Sequence, residues 1–222
     1  MSPLVLNQSH ARSAFTLLEM LVVLAVMGIL IYLASPGIVA LQQTSSLSLA
    51  GQSVVDEISV AREMAASRNV VVEIRFLTPS NWSVLGSPNY TGYHAIQLWA
   101  PNESGASVPV DRVITLPDGV EISSHTTLSP LLSTLVAASA SMPAGSTVGT
   151  YVSFFVRPNG TIQVANPPTD TAGSTQDNAS VRAPSYFFTI VSVRYDTASI
   201  PPANYFTLQV NPDTGRSEAY RP

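Results

Sequence analysis

The sequence predicts an α+β protein: a long kinked N-terminal helix packed on a mostly antiparallel β-sheet domain. Three observations carry that expectation. Residues 15–34 form an apolar run whose only clearly polar members are Thr16 and Glu19. Apolar residues then recur at helical spacing as far as Arg68, and beyond Asn69 the period shortens to that of strands. The implied division is a short, mostly polar segment over 1–14, a helix over 15–68, and a β-rich globular domain over 69–222.

Composition points the same way. Of 222 residues, 45% are hydrophobic and 11% charged, against about 25% charged in ordinary soluble domains. The deficit is local, because no Asp, Glu, Lys or Arg stands between Glu19 and Asp56. The chain has no cysteine, which excludes disulfides and thiolate metal sites. Its net charge is −4, and all ten basic residues are arginines scattered from Arg12 to Arg221. Such a chain has no large positive field to attract phosphates, so nucleic acid is not expected as a partner.

As a helix, residues 15–34 rise about 30 Å, enough to span one hydrocarbon core. Arg12 precedes the run and the next basic residue is Arg62, so the positive-inside bias leaves the N-terminus in the cytoplasm and the bulk of the chain outside. A cleaved secretory signal and a plain signal anchor are the ordinary alternatives. Against the first, Leu33-Ala34-Ser35-Pro36 places proline where it hinders signal peptidase. The second does not explain Glu19, since an acid inside such a run costs about 3 kcal/mol on insertion scales. A cut between Ala14 and Phe15 would supply a partner: the new ammonium would lie within one helical turn of Glu19, in the same chain or a staggered neighbour.

Ala14, then Phe15-Thr16-Leu17-Leu18-Glu19 and the apolar run from Met20 to Leu30, resemble the class III signal of type IV pilins and pseudopilins. The resemblance implies that residues 1–14 are a leader peptide, that a prepilin peptidase cuts before Phe15 and methylates its new amino group, and that Phe15 and Glu19 direct assembly. Ala14 departs from the usual Gly before the cut. Gly28 and Pro36 fall where many of these proteins have a Gly and a Pro, in a stretch resembling the one that loses helical bonds in filaments. Independently of that likeness, Pro36 removes a backbone donor and clashes one turn back, so a kink is expected there, compounded by Gly37.

Past the kink, Leu47, Ala50, Gly51, Val54, Ile58, Ala61 and Ala65 repeat at three- and four-residue steps, with Asp56, Glu57, Arg62 and Glu63 mostly on other faces. This predicts an amphipathic helix over 35–68 whose stripe packs on a sheet. Gln42-Gln43-Thr44-Ser45-Ser46 could interrupt it, since Thr and Ser compete for helical backbone groups. The β-branched stretch Val70 to Leu77 opens the strands and puts Glu73 and Arg75 on one face. Further strands are expected at Tyr93 to Trp99, Arg112 to Leu116, Val120 to Ser123, Thr150 to Arg157, Thr161 to Ala165, Tyr186 to Tyr195, Tyr205 to Val210 and Arg216 to Tyr220. Pro158-Asn159-Gly160 and Asn211 to Gly215 read as hairpin turns. Ser129-Pro130 opens a short helix carrying Leu131, Leu132, Leu135 and Val136, with Ser129 as its cap. Thr78 to Gly92, Ala100 to Val108 and Asn166 to Ser185 read as long surface loops.

The soluble part resembles the GspH/FimT group of minor pseudopilins and minor pilins in Ala61 to Val72, Phe155 to Thr161 and Val210 to Arg216; the pilin-like Verru_Chthon cassette protein D family is a related resemblance. No elbow, zincin, Walker or dinucleotide motif is present. His94 and His125 are isolated and expected in packing or at the surface, so neither catalysis nor a cofactor is expected. Asp170 and Asp177 could chelate calcium but offer only two acids where six to eight oxygens are needed, so solvated acids are the simpler reading. Arg216 and Arg221, interleaved with Asp213 and Glu218, read as a solvated hairpin. Trp82, Tyr90 and Tyr93 read as either an aromatic contact surface or packing within the first loop.

The function expected is that of a structural subunit, a minor one, of a type IV pilus or type II secretion pseudopilus. It would be anchored in a bacterial inner membrane before assembly, with other subunits, the prepilin peptidase and the inner-membrane assembly machinery as partners and lipid around its anchor. The alternative is a signal-anchored envelope domain that binds a ligand through its long loops.

Overall fold

The computed structural model describes residues 16–78, 90–141, 148–164, 185–195 and 200–222, leaving aside the side chains of 34–40, 139–141 and 148–149. The chain divides into two compact units, residues 1–41 and 42–222. Helix α1, Leu17–Arg68, is assigned continuously over 52 residues, through Pro36 and through Gln42 to Ser46. The interruption allowed for at Gln42 to Ser46 is absent: Ser48 Oγ donates to the Thr44 carbonyl at 3.0 Å while the helix runs on. At its C-terminus Asn69 takes φ 53°, and Val70 N–H donates to the Ala65 carbonyl at 3.2 Å. That is a Schellman-type stop with asparagine in the left-handed position.

In the second unit the predicted stripe is the core face of the helix. Leu47, Ala50, Gly51, Val54, Ile58, Ala61 and Ala65 are all buried, whereas Leu49 and Val60 on the opposite side are exposed. Gly51 lets one ring come close: a Cβ there would stand 2.5 Å from the Phe206 ring.

The eleven strands of the described residues form two antiparallel sheets, one of seven strands and one of four, which share the rest of the core. In chain order they are β1 (Val72–Thr78), β2 (Ala95–Pro101), β3 (Ser107–Pro109), β4 (Ile114–Thr115), β5 (Val120–Ile122), then helix α2 (Pro130–Ser133), β6 (Ala138–Ser141), β7 (Val148–Val156), β8 (Ile162–Gln163), β9 (Phe187–Ser192), a 3-10 turn at Val193–Tyr195, β10 (Phe206–Val210) and β11 (Ser217–Tyr220). The first sheet runs β3-β2-β1-β7-β6, with β4 also on β2 and β8 also on β7; the second runs β11-β10-β9-β5. Central β1 pairs Ile74 with Leu98 of β2 and with Phe154 of β7. Its inward residues Val72, Ile74 and Phe76 join the helix stripe in one cluster. Phe76 anchors it, with ring centroids of Phe154 and Phe188 at 5.6 and 5.5 Å.

The two sheets are stitched at both ends. Tyr93 bridges Ile122 of β5, and Ile162 N–H donates to the Pro212 carbonyl at 2.7 Å. The first stitch depends on Gly92, where a Cβ would stand 2.2 Å from the Ile122 carbonyl oxygen.

Several expectations need correction. Ala100 to Val108 is not a long loop: β2 turns into β3 through Asn102, whose Oδ1 accepts from the N–H groups of Ser104 and Ala106. Strands β3 and β6 were not foreseen, being short pieces of weak β propensity held by their neighbours. The segment after Ser192 is a 3-10 turn rather than strand. Ser129 precedes α2, with Pro130 in the first turn, but makes no side-chain cap bond; its Oγ accepts from Thr189 N–H at 3.2 Å. Val136 is 82% exposed, so it takes no part in the apolar face of α2.

Ile58 is 1% exposed at the middle of the helix stripe. Replacing it by alanine should lower the unfolding free energy by about 2–4 kcal/mol, while Val60→Ala should stay within about 0.5 kcal/mol. Chemical denaturation of both variants checks this, and equal effects would contradict the assigned helix face.

Candidate functional site

The residues that direct function by the sequence reading cluster at the start of α1. Ala14 and Phe15 lie outside the described residues. Thr16 immediately precedes the helix, and its Oγ1 accepts from Glu19 N–H at 3.2 Å. Its carbonyl accepts from Met20 N–H at 3.2 Å. Thr16 is therefore the N-cap, a role worth about 1 kcal/mol. Glu19 stands three residues into the helix, exposed in the first turn, where a carboxylate complements the unpaired amides and the helix dipole.

Sequence reasoning treated Thr16 only as a polar interruption. The signal was available: Thr16-Leu17-Leu18-Glu19 has the spacing of a capping box, preceded by an aromatic at the position of a hydrophobic staple. The same four residues thus fix where the helix starts and set an acid beside its N-terminus.

From Leu17 to Leu33 every large apolar side chain is exposed on all sides of the helix, and nothing lies within 4 Å of where a Gly28 Cβ would be. No helix of the described residues is long and apolar enough to cross a membrane. The span expected over 15–34 is represented there by Leu17–Leu33, a rise of about 25 Å against a core of about 30 Å. Pro36 sits within the assigned helix, its side chain outside the description.

Among the described residues of the globular unit, two polar clusters lie largely buried on the sheets. Arg75, 9% exposed, is stacked between Trp99 and Tyr151, its guanidinium carbon 3.7 and 4.4 Å from their centroids. Its Nη2 donates to Glu73 Oε2 at 2.8 Å. The sharing of one face by Glu73 and Arg75 is as the strand period predicts; their burial is not. A cation sandwiched by two rings and paired with a neighbouring carboxylate is held in place, although its Nε has no hydrogen-bond partner among the described residues.

The second cluster surrounds His94. Its Nδ1 lies 2.8 Å from the Val120 carbonyl, and a carbonyl only accepts, so Nδ1 carries the proton. Tyr90 stacks on the imidazole at 3.8 Å and its hydroxyl accepts from Gly119 N–H at 3.3 Å. Glu121, fully buried, accepts from the N–H groups of Thr91 and Gly92 at 3.0 and 2.8 Å. Tyr93 packs edge-on to Phe76 at 6.5 Å. Tyr90 and Tyr93 thus both make packing contacts and are half-buried; Trp82 lies outside the described residues. His125 Nδ1 accepts from Thr127 N–H, a local turn.

Glu57 is pushed above the usual carboxylate range by burial and by the charges of Asp111 and Asp56. Among the described residues no group of three His, Cys, Asp or Glu could hold a metal ion, and Asp170 and Asp177 lie outside them. Arg216 is exposed, whereas Arg221 is not merely solvated: it bonds Ser48 of α1.

Residues 9–33 match the family model described as the prokaryotic N-terminal methylation motif. The chain thus carries the prepilin signal of type IV pilins and pseudopilins. No curated protein and no solved structure matches the chain.

Burial holds the His94 imidazole below its ordinary pKa of 6.5, against the weaker opposite pull of the Val120 bond and of Asp118. The unfolded chain therefore takes up a proton near pH 6.5 that the folded chain refuses. Stability is full above that pH and declines as the pH falls below it, levelling once the folded imidazole is also protonated. The thermal midpoint should drop between pH 7.5 and 5.5, and His94→Gln should flatten that part of the profile. An identical slope in the variant would assign the titration elsewhere.

Proposed function

We propose that this prepilin-signal-bearing chain is a minor subunit of a type IV pilus or type II secretion pseudopilus, anchored by its N-terminal helix before assembly. The observation that carries the reading is the uncovered apolar surface from Leu17 to Leu33 directly behind a capped, acid-bearing helix start. A Leu, Ile, Val or Met side chain gains about 1.5–3 kcal/mol on burial, so leaving this stretch in water would cost on the order of 20–40 kcal/mol. Placing the acid of Glu19 in lipid costs about 3 kcal/mol. The difference favours a lipid or helix-lined environment despite the acid, with the membrane as the first host and the helices of neighbouring subunits as the second.

In this reading the prepilin peptidase cuts between Ala14 and Phe15 and methylates Phe15. The new ammonium is unfavourable at the positive end of its own helix dipole, and a carboxylate one turn away compensates it. A Glu19 side chain already in the first turn can serve its own terminus or that of the next subunit, and the second arrangement docks each protomer beside its neighbour. The globular unit, whose described core cluster draws on Leu47 and later residues, then faces neighbouring subunits or cargo.

The test is subunit incorporation in the native host. Glu19→Ala should remain in the membrane fraction at wild-type level while its amount in the sheared filament or pseudopilus fraction falls at least tenfold. Wild-type incorporation of the variant would contradict the assembly role and favour a membrane-anchored domain working alone.

A further inference from the structure

By composition the weakest helical stretch of α1 in the globular unit is Gln42 to Ser46. It stands at the N-terminal limit of that unit, which begins at Gln42. Leu47 is the first residue of the stripe in the core, while Leu41 is 72% exposed. Apolar packing therefore does not hold the turn before Leu47. Ser48, whose hydroxyl returns a bond to the Thr44 carbonyl, by itself loosens a helix.

Four polar residues meet at this turn. Asn204, on the approach to β10, donates from Nδ2 to Thr44 Oγ1 at 3.2 Å. Arg221, directly after β11, donates from Nη1 to Ser48 Oγ. Its Nη2 reaches the Thr44 carbonyl at 3.5 Å and Asn204 Oδ1 at 3.4 Å. The planar guanidinium presents several donors in a fixed fork, so one side chain bonds both members of a back-bonded helical turn and the amide beside it. The contacts close segments separated by 160 to 177 positions in sequence.

We propose that Asn204 and Arg221 form a C-terminal strap that keeps the Thr44–Ser48 turn helical and sets how far the globular unit grips α1. With the strap engaged, the held helix extends to Thr44; without it the hold ends at Leu47, and the preceding hydroxyl-rich turn is free to adopt side chain to backbone bonds incompatible with a helix. The strap follows from contacts within the globular unit and does not depend on the filament reading.

Hydrogen–deuterium exchange of the full chain in detergent micelles tests this, comparing wild type with Arg221→Gln and Asn204→Ala. Hydrogen bonds of this kind shift a local opening equilibrium several-fold each, so amides over residues 44–48 should exchange roughly tenfold faster in Arg221→Gln and measurably faster in Asn204→Ala, with Val54 to Ala65 unchanged. Two results would overturn the proposal: unchanged exchange over 44–48 in both variants, or an acceleration shared equally by Val54 to Ala65, which marks general destabilisation.

Discussion

One constraint governs the rest: the first half of α1 has an apolar surface on every side and nothing in the described chain to cover it. The second half of the same helix solves the usual problem in the usual way, turning a stripe from Leu47 to Ala65 onto two sheets. From Leu17 to Leu33 there is no stripe, because there is no polar face. A helix of that kind is stable only inside lipid or among other helices. Among the described residues the core cluster draws on nothing before Leu47, and the contiguous run of exposed apolar side chains is the one from Leu17 to Leu33.

That segment also carries the chain's most economical local design. Thr16 caps the helix, Glu19 opposes the positive end of its dipole, and Phe15 stands where a staple residue would. The prepilin motif can thus be understood partly as ordinary helix-start chemistry, with the acid doing two jobs. It complements the first turn locally, and it is the only formal charge in the apolar run; in the proposed reading it also pairs with the ammonium that cleavage would liberate. Within the globular unit the remainder of α1 is held by the Phe76 cluster, the close seat of Phe206 on Gly51 and the polar contacts at Thr44 to Ser48.

Much of this was legible in the sequence wherever a single period or turn chemistry decided the outcome. The stripe from Leu47 to Ala65, the β-branched run of β1 and the Pro158-Asn159-Gly160 turn are local signals that tertiary packing reinforces. The misses have a common cause, which is dependence on a partner distant in sequence. Ala138 to Ser141 becomes a strand because β7 pairs with it, and Ser107 to Pro109 because β2 does. Ser129 was read as a local cap, yet its hydroxyl serves Thr189, sixty positions away. The burial of Arg75 and Glu121 was hidden for the same reason, since charges read as solvated faces until the rings of Trp99 and Tyr151, or the amides of Thr91 and Gly92, are placed beside them. Thr16 is the opposite case: its T-x-x-E spacing is a local and complete helix-start signal, and the cap bond to Glu19 N–H follows from it.

The central claim is that Phe15 becomes a free, methylated terminus one turn from Glu19. The sequence makes this directly measurable, because it contains no lysine, so the α-amino group of the processed chain is its sole amine. Intact-mass and N-terminal sequencing mass spectrometry of the polypeptide purified from its native host should find a chain beginning at N-methylated Phe15. A chain that retains residues 1–14, or one that begins after Ala34, would contradict the account.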